Sequence, residues 1–351
     1  MKGLFSPIQV GSIVSKNRFV RSATHDWLGA DDGRITNKQI ALYKELARQD
    51  VGMIISAHAY VEHPRGRASL RQNGIYNDCF IDGYKELAHI VRPYGAKMIV
   101  QVAHAGVQTT EELTEGKGFA DPSNLSVQEI EDLIEAFAQA VKRVQHSGCD
   151  GVQIHMAHGY LISRFLSPTS NQREDEWGGS LLNRVRFAES IVKRSRELVG
   201  RDFTLLVKLN SSGGFAGTAA MELEEVVAIS KILEAVGIDG IEISGGAGGE
   251  VKNSTSRVEI FKREDEAYFL KAAEAIKKVV QIPVILVGGI RSRILMEEMI
   301  NEGLVDMISF CRPFICEPNL VKNMAAGAEK VKCISCNKCR NLEGISCILQ
   351  K

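Results

Sequence analysis

Two histidines three residues apart, His155 and His158, and a tyrosine two further on, Tyr160, form the chemically densest stretch of the sequence. An imidazole pair of this kind could ligate zinc, polarise a carbonyl oxygen, or sit hydrogen-bonded against backbone. Zinc wants a third ligand close by, whereas Asp175 lies far along the following segment and no His-Glu motif accompanies the pair. Polarisation of an oxygen is therefore the leading reading. A second constellation pairs Val287-Gly288-Gly289-Ile290 with Phe310-Cys311-Arg312-Pro313. Glycines let backbone amides approach an anion, and a guanidinium adds a bidentate charge, so a phosphorylated ligand is expected there. A third is the run Cys333, Cys336, Cys339 and Cys347, spaced C-x2-C-x2-C-x7-C, which is metal-ligand spacing rather than a disulfide framework. The other four cysteines, Cys79, Cys149, Cys311 and Cys316, are scattered singly, as reduced thiols usually are.

These groups need a frame. Short β-branched runs alternate with amphipathic stretches along the whole chain, at 19–24, 52–57, 97–103, 151–156, 203–209, 240–244, 283–287 and 306–310. Helices are expected near 38–49, 80–94, 127–146, 182–199, 222–236, 264–280, 291–302 and 318–326. Over 127–146, Ser126 and Glu129 make a capping box, Ile130, Leu133, Ile134, Phe137, Val141 and Val144 repeat at helical spacing, and Gly148 follows as a stop. Eight strands alternating with eight helices give an α/β (β/α)8 TIM barrel. Connections from helix to strand are short and those from strand to helix long, and a barrel carries its active site on the long ones. The expected division is one catalytic barrel over 1–330 and a Cys-containing tail over 331–351.

Composition excludes several classes. The 351 residues are 44% hydrophobic and carry 43 Lys+Arg against 43 Asp+Glu, with no basic run interleaved with aromatics, so a nucleic-acid partner is not expected. No membrane-length apolar stretch and no leader pattern is seen, which reads as a cytoplasmic protein with a small-molecule partner, the oligomeric state left open.

The sequence resembles the old yellow enzyme group of FMN-dependent ene-reductases and NADH:flavin oxidoreductases. The resemblance rests on Leu4-Phe5-Ser6-Pro7, Lys16-Asn17-Arg18-Phe19-Val20, Gln101-Val102-Ala103-His104-Ala105-Gly106 and the segment from His155 to Tyr160. It continues through Phe165-Leu166-Ser167-Pro168, Asn171, Arg173, Gly178-Gly179-Ser180, Asn183-Arg184, Val287-Gly288-Gly289-Ile290 and Arg312-Pro313. It implies FMN across the barrel mouth, with NADH or NADPH as hydride donor and an α,β-unsaturated carbonyl compound as substrate. By position, Ser22, Ala23, Thr24 and His25 would border the flavin, Ala57 would lie near its C4, and Gln101 would bond its pyrimidine. Lys208 would stand beside N1 and O2, and Gly288, Gly289, Cys311 and Arg312 would surround the phosphate. Tyr160 would donate a proton to the α-carbon, while His155 and His158 would bond the carbonyl oxygen.

Four positions depart from the family's pattern: His25 in place of Thr or Cys, Arg164 for Gln, Trp177 for Tyr, and Cys311 for Gly. The cysteine run resembles the iron-sulfur segment of the dienoyl-CoA and 2-enoate reductase branch, with tighter spacing, so a four-iron cluster, a zinc and an unligated vestige all stay open. The tail is expected to be dispensable for FMN binding. Alternatives to the ene-reductase are a non-catalytic redox-sensing flavoprotein, a 2-enoate/dienoyl-CoA reductase-like barrel subunit with an iron-sulfur cluster and, outside flavins, a phosphate-binding lyase or aldolase.

Overall fold

The computed structural model describes residues 3–211, 221–246 and 254–350. In chain order the strands are β1 (Ile8–Val10), β2 (Ile13–Ser15), β3 (Phe19–Arg21), β4 (Met53–Ile55), β5 (Ala59–Tyr60), β6 (Lys97–Ala103), β7 (Gly151–Met156), β8 (Thr204–Asn210), β9 (Gly240–Ser244), β10 (Val284–Val287) and β11 (Met307–Phe310). The helices are α1 (Asn37–Arg48), α2 (Ile81–Val91), α3 (Val127–His146), α4 (Leu161–Leu166), α5 (Leu181–Val199), α6 (Leu223–Val236), α7 (Leu270–Lys277), α8 (Arg293–Asn301), α9 (Arg312–Cys316) and α10 (Leu320–Ala325).

Strands β4, β3, β11, β10, β9, β8, β7 and β6 pair in that order, and β4 pairs again with β6, so eight parallel strands close on themselves. The expected (β/α)8 barrel is the fold. Its strands read as apolar runs because helices cover their outer face and packed side chains fill the inside. Helix α3 spans the expected residues, and both halves of the Ser126–Glu129 capping box are made, a cap worth about 1 kcal/mol.

Three features were not foreseen. The antiparallel pair β1–β2 places Val10 and Ile13 in one buried cluster with Val20, Met53, Ile55, Ile99, Leu206, Ile285 and Met307, inward residues of six barrel strands, and so stoppers the barrel floor. The second barrel strand is broken: β4 ends at Ile55, residues 57–58 leave the ladder, and β5 rejoins β6 through Ala59 opposite Val102. The first strand stops at Arg21 rather than at residue 24, so residues 22–25 turn into the barrel mouth. Helix 264–280 likewise shortens to α7, preceded by a 3-10 turn at Arg263–Asp265, and 318–326 to α10.

The tail packs on the barrel. Val331 N–H donates to the carbonyl of Arg291 at 3.0 Å, Ile345 N–H to that of Asp26 at 3.1 Å, and Gln350 Nε2 to that of Cys316 at 2.7 Å.

Candidate active site

A cavity of about 420 Å3 opens at the C-terminal ends of the barrel strands, where this fold places its chemistry. Its floor is a polar network inside the barrel. Lys208 Nζ lies 3.1 Å from Glu242 Oε2 and donates to Ser22 Oγ at 2.9 Å. Glu242 also accepts from Ser309 Oγ at 2.7 Å and from Gln153 Nε2 at 2.8 Å, and Gln153 Oε1 accepts from Gln101 Nε2 at 2.7 Å. Burial alone would raise the Glu242 pKa, but the Lys208 charge and these hydrogen bonds outweigh it and hold the carboxylate below its ordinary value. Gln101 and Lys208 are thereby fixed before any ligand arrives.

At one end, Gly288 (φ 132°) and Gly289 (φ 70°) take left-handed backbone, which favours glycine. With Arg291, Arg312 and Ser335 they line a small adjoining cavity of about 50 Å3. Arg312 Nη1 reaches the carbonyl of Arg257 at 2.8 Å, that of Ser335 at 3.3 Å and Asn337 Oδ1 at 2.7 Å. Cys311 accepts from Thr24 Oγ1 at 3.0 Å. Residues of the tail therefore wall the Gly288–Gly289 end, and Asn337, Cys339, Arg340 and Ile345 also line the main cavity.

At the other end stand His155, His158 and Tyr160. The two imidazole centroids are 5.0 Å apart, and that of Tyr160 is 4.7 Å from His155. His158 sits in left-handed backbone (φ 64°), its N–H donating to Asn210 Oδ1 at 3.1 Å and its Nε2 lying 2.7 Å from Ser244 Oγ. His155 Nδ1 is buried without a hydrogen-bond partner. Burial, with Lys208 nearby, lowers the His158 pKa to about 3; burial and the neighbouring His158 and Lys208 charges lower His155 well below its ordinary value. Both rings are neutral at pH 7, so each has one N–H to give. Burial pushes Tyr160 up to about 12, which keeps it a protonated phenol.

Of the residues expected from the sequence, Ser22, Ala23, Thr24, His25, Gln101, His155, His158, Tyr160, Lys208, Cys311 and Arg312 line the main cavity, and Gly288 and Gly289 the adjoining one. Ala57 does not reach the wall; it lies on the break in the second strand with its N–H donating to Tyr43 Oη at 2.8 Å. His25 lies with Nε2 2.7 Å from Ser69 Oγ, and burial lowers its pKa to about 4. Sequence reasoning missed His58, Trp27, Gln108, Ser244 and the tail residues on the wall. It also missed Glu242, although a charged residue inside an otherwise apolar strand was a readable signal.

Several motif residues brace rather than react. Asn171 Nδ2 donates to the carbonyls of Phe165 and Trp177, and Arg173 Nη1 to those of Pro122 and Leu125. Arg164 pairs with Asp121 at 2.5 Å. Of the long strand-to-helix connections, 106–125 is described, and part of 245–263 lies outside the described residues.

The model of the NADH:flavin oxidoreductase / NADH oxidase family matches residues 3–330. The chain belongs to this family. It is similar to an NADH oxidase of Thermoanaerobacter brockii, 36% identical over 95% of this chain and 52% of that protein. It is also similar to an NADPH dehydrogenase of a Geobacillus strain, 32% identical over 90% of this chain and 91% of that one. Among solved structures, a 2-naphthoyl-CoA reductase in complex with 2-naphthoyl-CoA superposes with a TM-score of 0.86 at 28% identity, covering 96% of this chain and 54% of that one. The chain thus spans about half the length of some relatives and nearly all of others. The flavin of this family is FMN. The residues fit FMN: amide and ammonium donors fixed on the floor, a cationic Gly-rich end, and an unpartnered buried His155 Nδ1 in the wall. Among the described residues, no helix is long and apolar enough to cross a membrane.

The neutral histidines carry a stability consequence. His25, His58, His155 and His158 all have pKa values depressed in the folded state, so the unfolded chain binds more protons below pH 6.5. Their contribution is complete above the unfolded value of about 6.5 and is lost as pH falls below it, by up to about 1.4 kcal/mol per histidine per pH unit. The thermal midpoint should therefore fall between pH 7 and 5, and His25→Gln should flatten the decline; a midpoint constant over that range would contradict neutral burial.

Proposed function

We propose that the protein reduces an activated C=C bond of an α,β-unsaturated carbonyl compound, and that the barrel over 1–330 does so with the tail over 331–351 completing its cavity. The observation that carries this reading is a neutral phenol, Tyr160, facing one cavity with two neutral imidazoles at one end and the Gln101–Lys208 floor beneath. Bound FMN supplies the two-electron carrier between NAD(P)H and the substrate. The substrate carbonyl oxygen accepts N–H from His155 and His158, which stabilises the negative charge that builds on it. Tyr160 Oη–H delivers the proton to the α-carbon. Lys208 and Gln101 hold the pyrimidine end, and Gly288, Gly289, Cys311 and Arg312 surround the phosphate. A cytoplasmic setting and a small-molecule partner accord with this chemistry.

The test is the visible spectrum of the purified protein followed by NADH and NADPH oxidation with and without an enone. Flavin absorption and enone-dependent turnover support the reading. A colourless protein overturns the cofactor assignment, and a flavoprotein that oxidises neither nucleotide in the presence of enones supports the redox-sensing alternative.

A second reading concerns the tail. A cavity beneath Arg312 is lined by Cys333, Cys336, Cys339 and Cys347 together with Cys316. Among the described residues no three His, Cys, Asp or Glu side chains close on a single metal ion. Four thiols lining one space suit either a four-iron cluster or a zinc held by four cysteines. Iron and acid-labile sulfide content of anaerobically purified protein decides between them.

A further inference from the structure

The break in the second barrel strand has a purpose that the sequence motifs do not reveal. A continuous strand would alternate its side chains between barrel interior and helix layer. Ser56 N–H makes the last bond to β6 before the break, donating to the Ile99 carbonyl at 2.8 Å, Ser56 Oγ accepts from Gln101 N–H at 3.1 Å, and residues 57–58 then leave the ladder. The displaced chain aims His58 into the main cavity, where it is 8% exposed. Its carbonyl is held by Gln72 Nε2 at 3.3 Å. Its Nε2 lies 3.3 Å from Tyr160 Oη, with the two rings edge to face at 84° and centroids 5.5 Å apart.

We propose that His58 is a positioning residue for proton transfer: its Nε2–H donates to the Tyr160 phenol oxygen and leaves the phenolic hydrogen directed at the substrate. The inference rests on Tyr160 being the proton donor of the function proposed above. In the transfer the Tyr160 O–H bond breaks, a C–H bond forms at the substrate α-carbon, and the phenolate left behind keeps the His58 hydrogen bond until solvent reprotonates it. A buried phenolate without such a donor is costly, since hydrogen bonds to charged groups are worth about 1.5–3 kcal/mol. No other hydrogen bond of Tyr160 Oη is found among the described residues. The groups facing His58 are His25, with centroid 5.2 Å away, His158 and Lys208, and burial and their charges keep its ring neutral. A neutral imidazole has one N–H, and its position decides whether His58 assists Tyr160 or takes its proton out of play.

Two measurements test this on the FMN-loaded protein. A two-bond 15N–1H correlation spectrum of the histidine rings is expected to show His58 protonated at Nε2; protonation at Nδ1 would overturn the proposal. In stopped flow, His58→Leu is expected to slow the enone half-reaction about ten- to hundredfold, the kinetic equivalent of that hydrogen bond, and His58→Gln, which keeps an N–H donor, to recover most of the loss. In a Tyr160→Phe background His58→Leu should add nothing. An additive effect, or an unslowed His58→Leu beside a slowed Tyr160→Phe, overturns the role of His58 alone; an unslowed Tyr160→Phe overturns the proton donor itself. Should His58→Leu fail to fold, the ring spectrum of the unaltered protein and the Gln variant still decide.

Discussion

Tyr160→Phe is expected to slow reoxidation of the reduced protein by an enone by about two to four orders of magnitude, the usual worth of a positioned general acid. Reduction by NADH requires no proton from a phenol and should stay near the unaltered rate. The loss is large because the site offers few substitutes. Burial holds His155 and His158 neutral, and in the proposed function they donate to the carbonyl oxygen, not to the α-carbon. The phenylalanine keeps the ring that packs 4.7 Å from His155, so the fold is not at issue. Stopped-flow traces of the two half-reactions give the answer: equal rates of alkene reduction in both proteins would remove Tyr160 from the chemistry.

The second large effect is expected from the tail, and it reverses the expectation that the tail is dispensable. Residues 331–350 supply Asn337, Cys339, Arg340 and Ile345 to the main cavity and Val331, Cys333 and Ser335 to the adjoining one. Truncation before Val331 should therefore lower FMN retention by at least tenfold after dialysis. It strips Arg312 of its Ser335 and Asn337 contacts and opens the phosphate end to water, where ion pairing is weaker. Arg312→Ala should mimic the truncation, since it removes both the cation and the tail's anchor. Full FMN stoichiometry in both variants would show that the tail merely rests on the barrel.

The barrel was legible because hydrophobic runs and helical periodicity are dictated by local burial, as in α3 with its Ser126 cap. The site was legible where a strand end carries an unusual pair, as at His155 and His158, or where glycine pairs with arginine, as at Gly289 and Arg312. What stayed hidden depends on long-range geometry. The β1–β2 stopper consists of three-residue strands whose partners lie across the barrel, for example Ser12 N–H to Thr204 Oγ1 at 3.2 Å. His58 reads as one residue of an ordinary strand until the ladder is seen to break there. The tail looked separate because its contacts with Arg312 span more than twenty residues of sequence.

The stopper on the barrel floor has a consequence for how the molecule breathes. Its apolar cluster ties six strands to one short turn at the end remote from the cavity, so opening any one strand there disturbs all the others. Amide hydrogens of Met53, Ile99, Leu206 and Met307 should exchange with solvent only through global unfolding, whereas those near the mouth can exchange through small local openings. The protein is thereby anchored at the pole remote from its cavity, and the frame that aims the cavity residues is held from below.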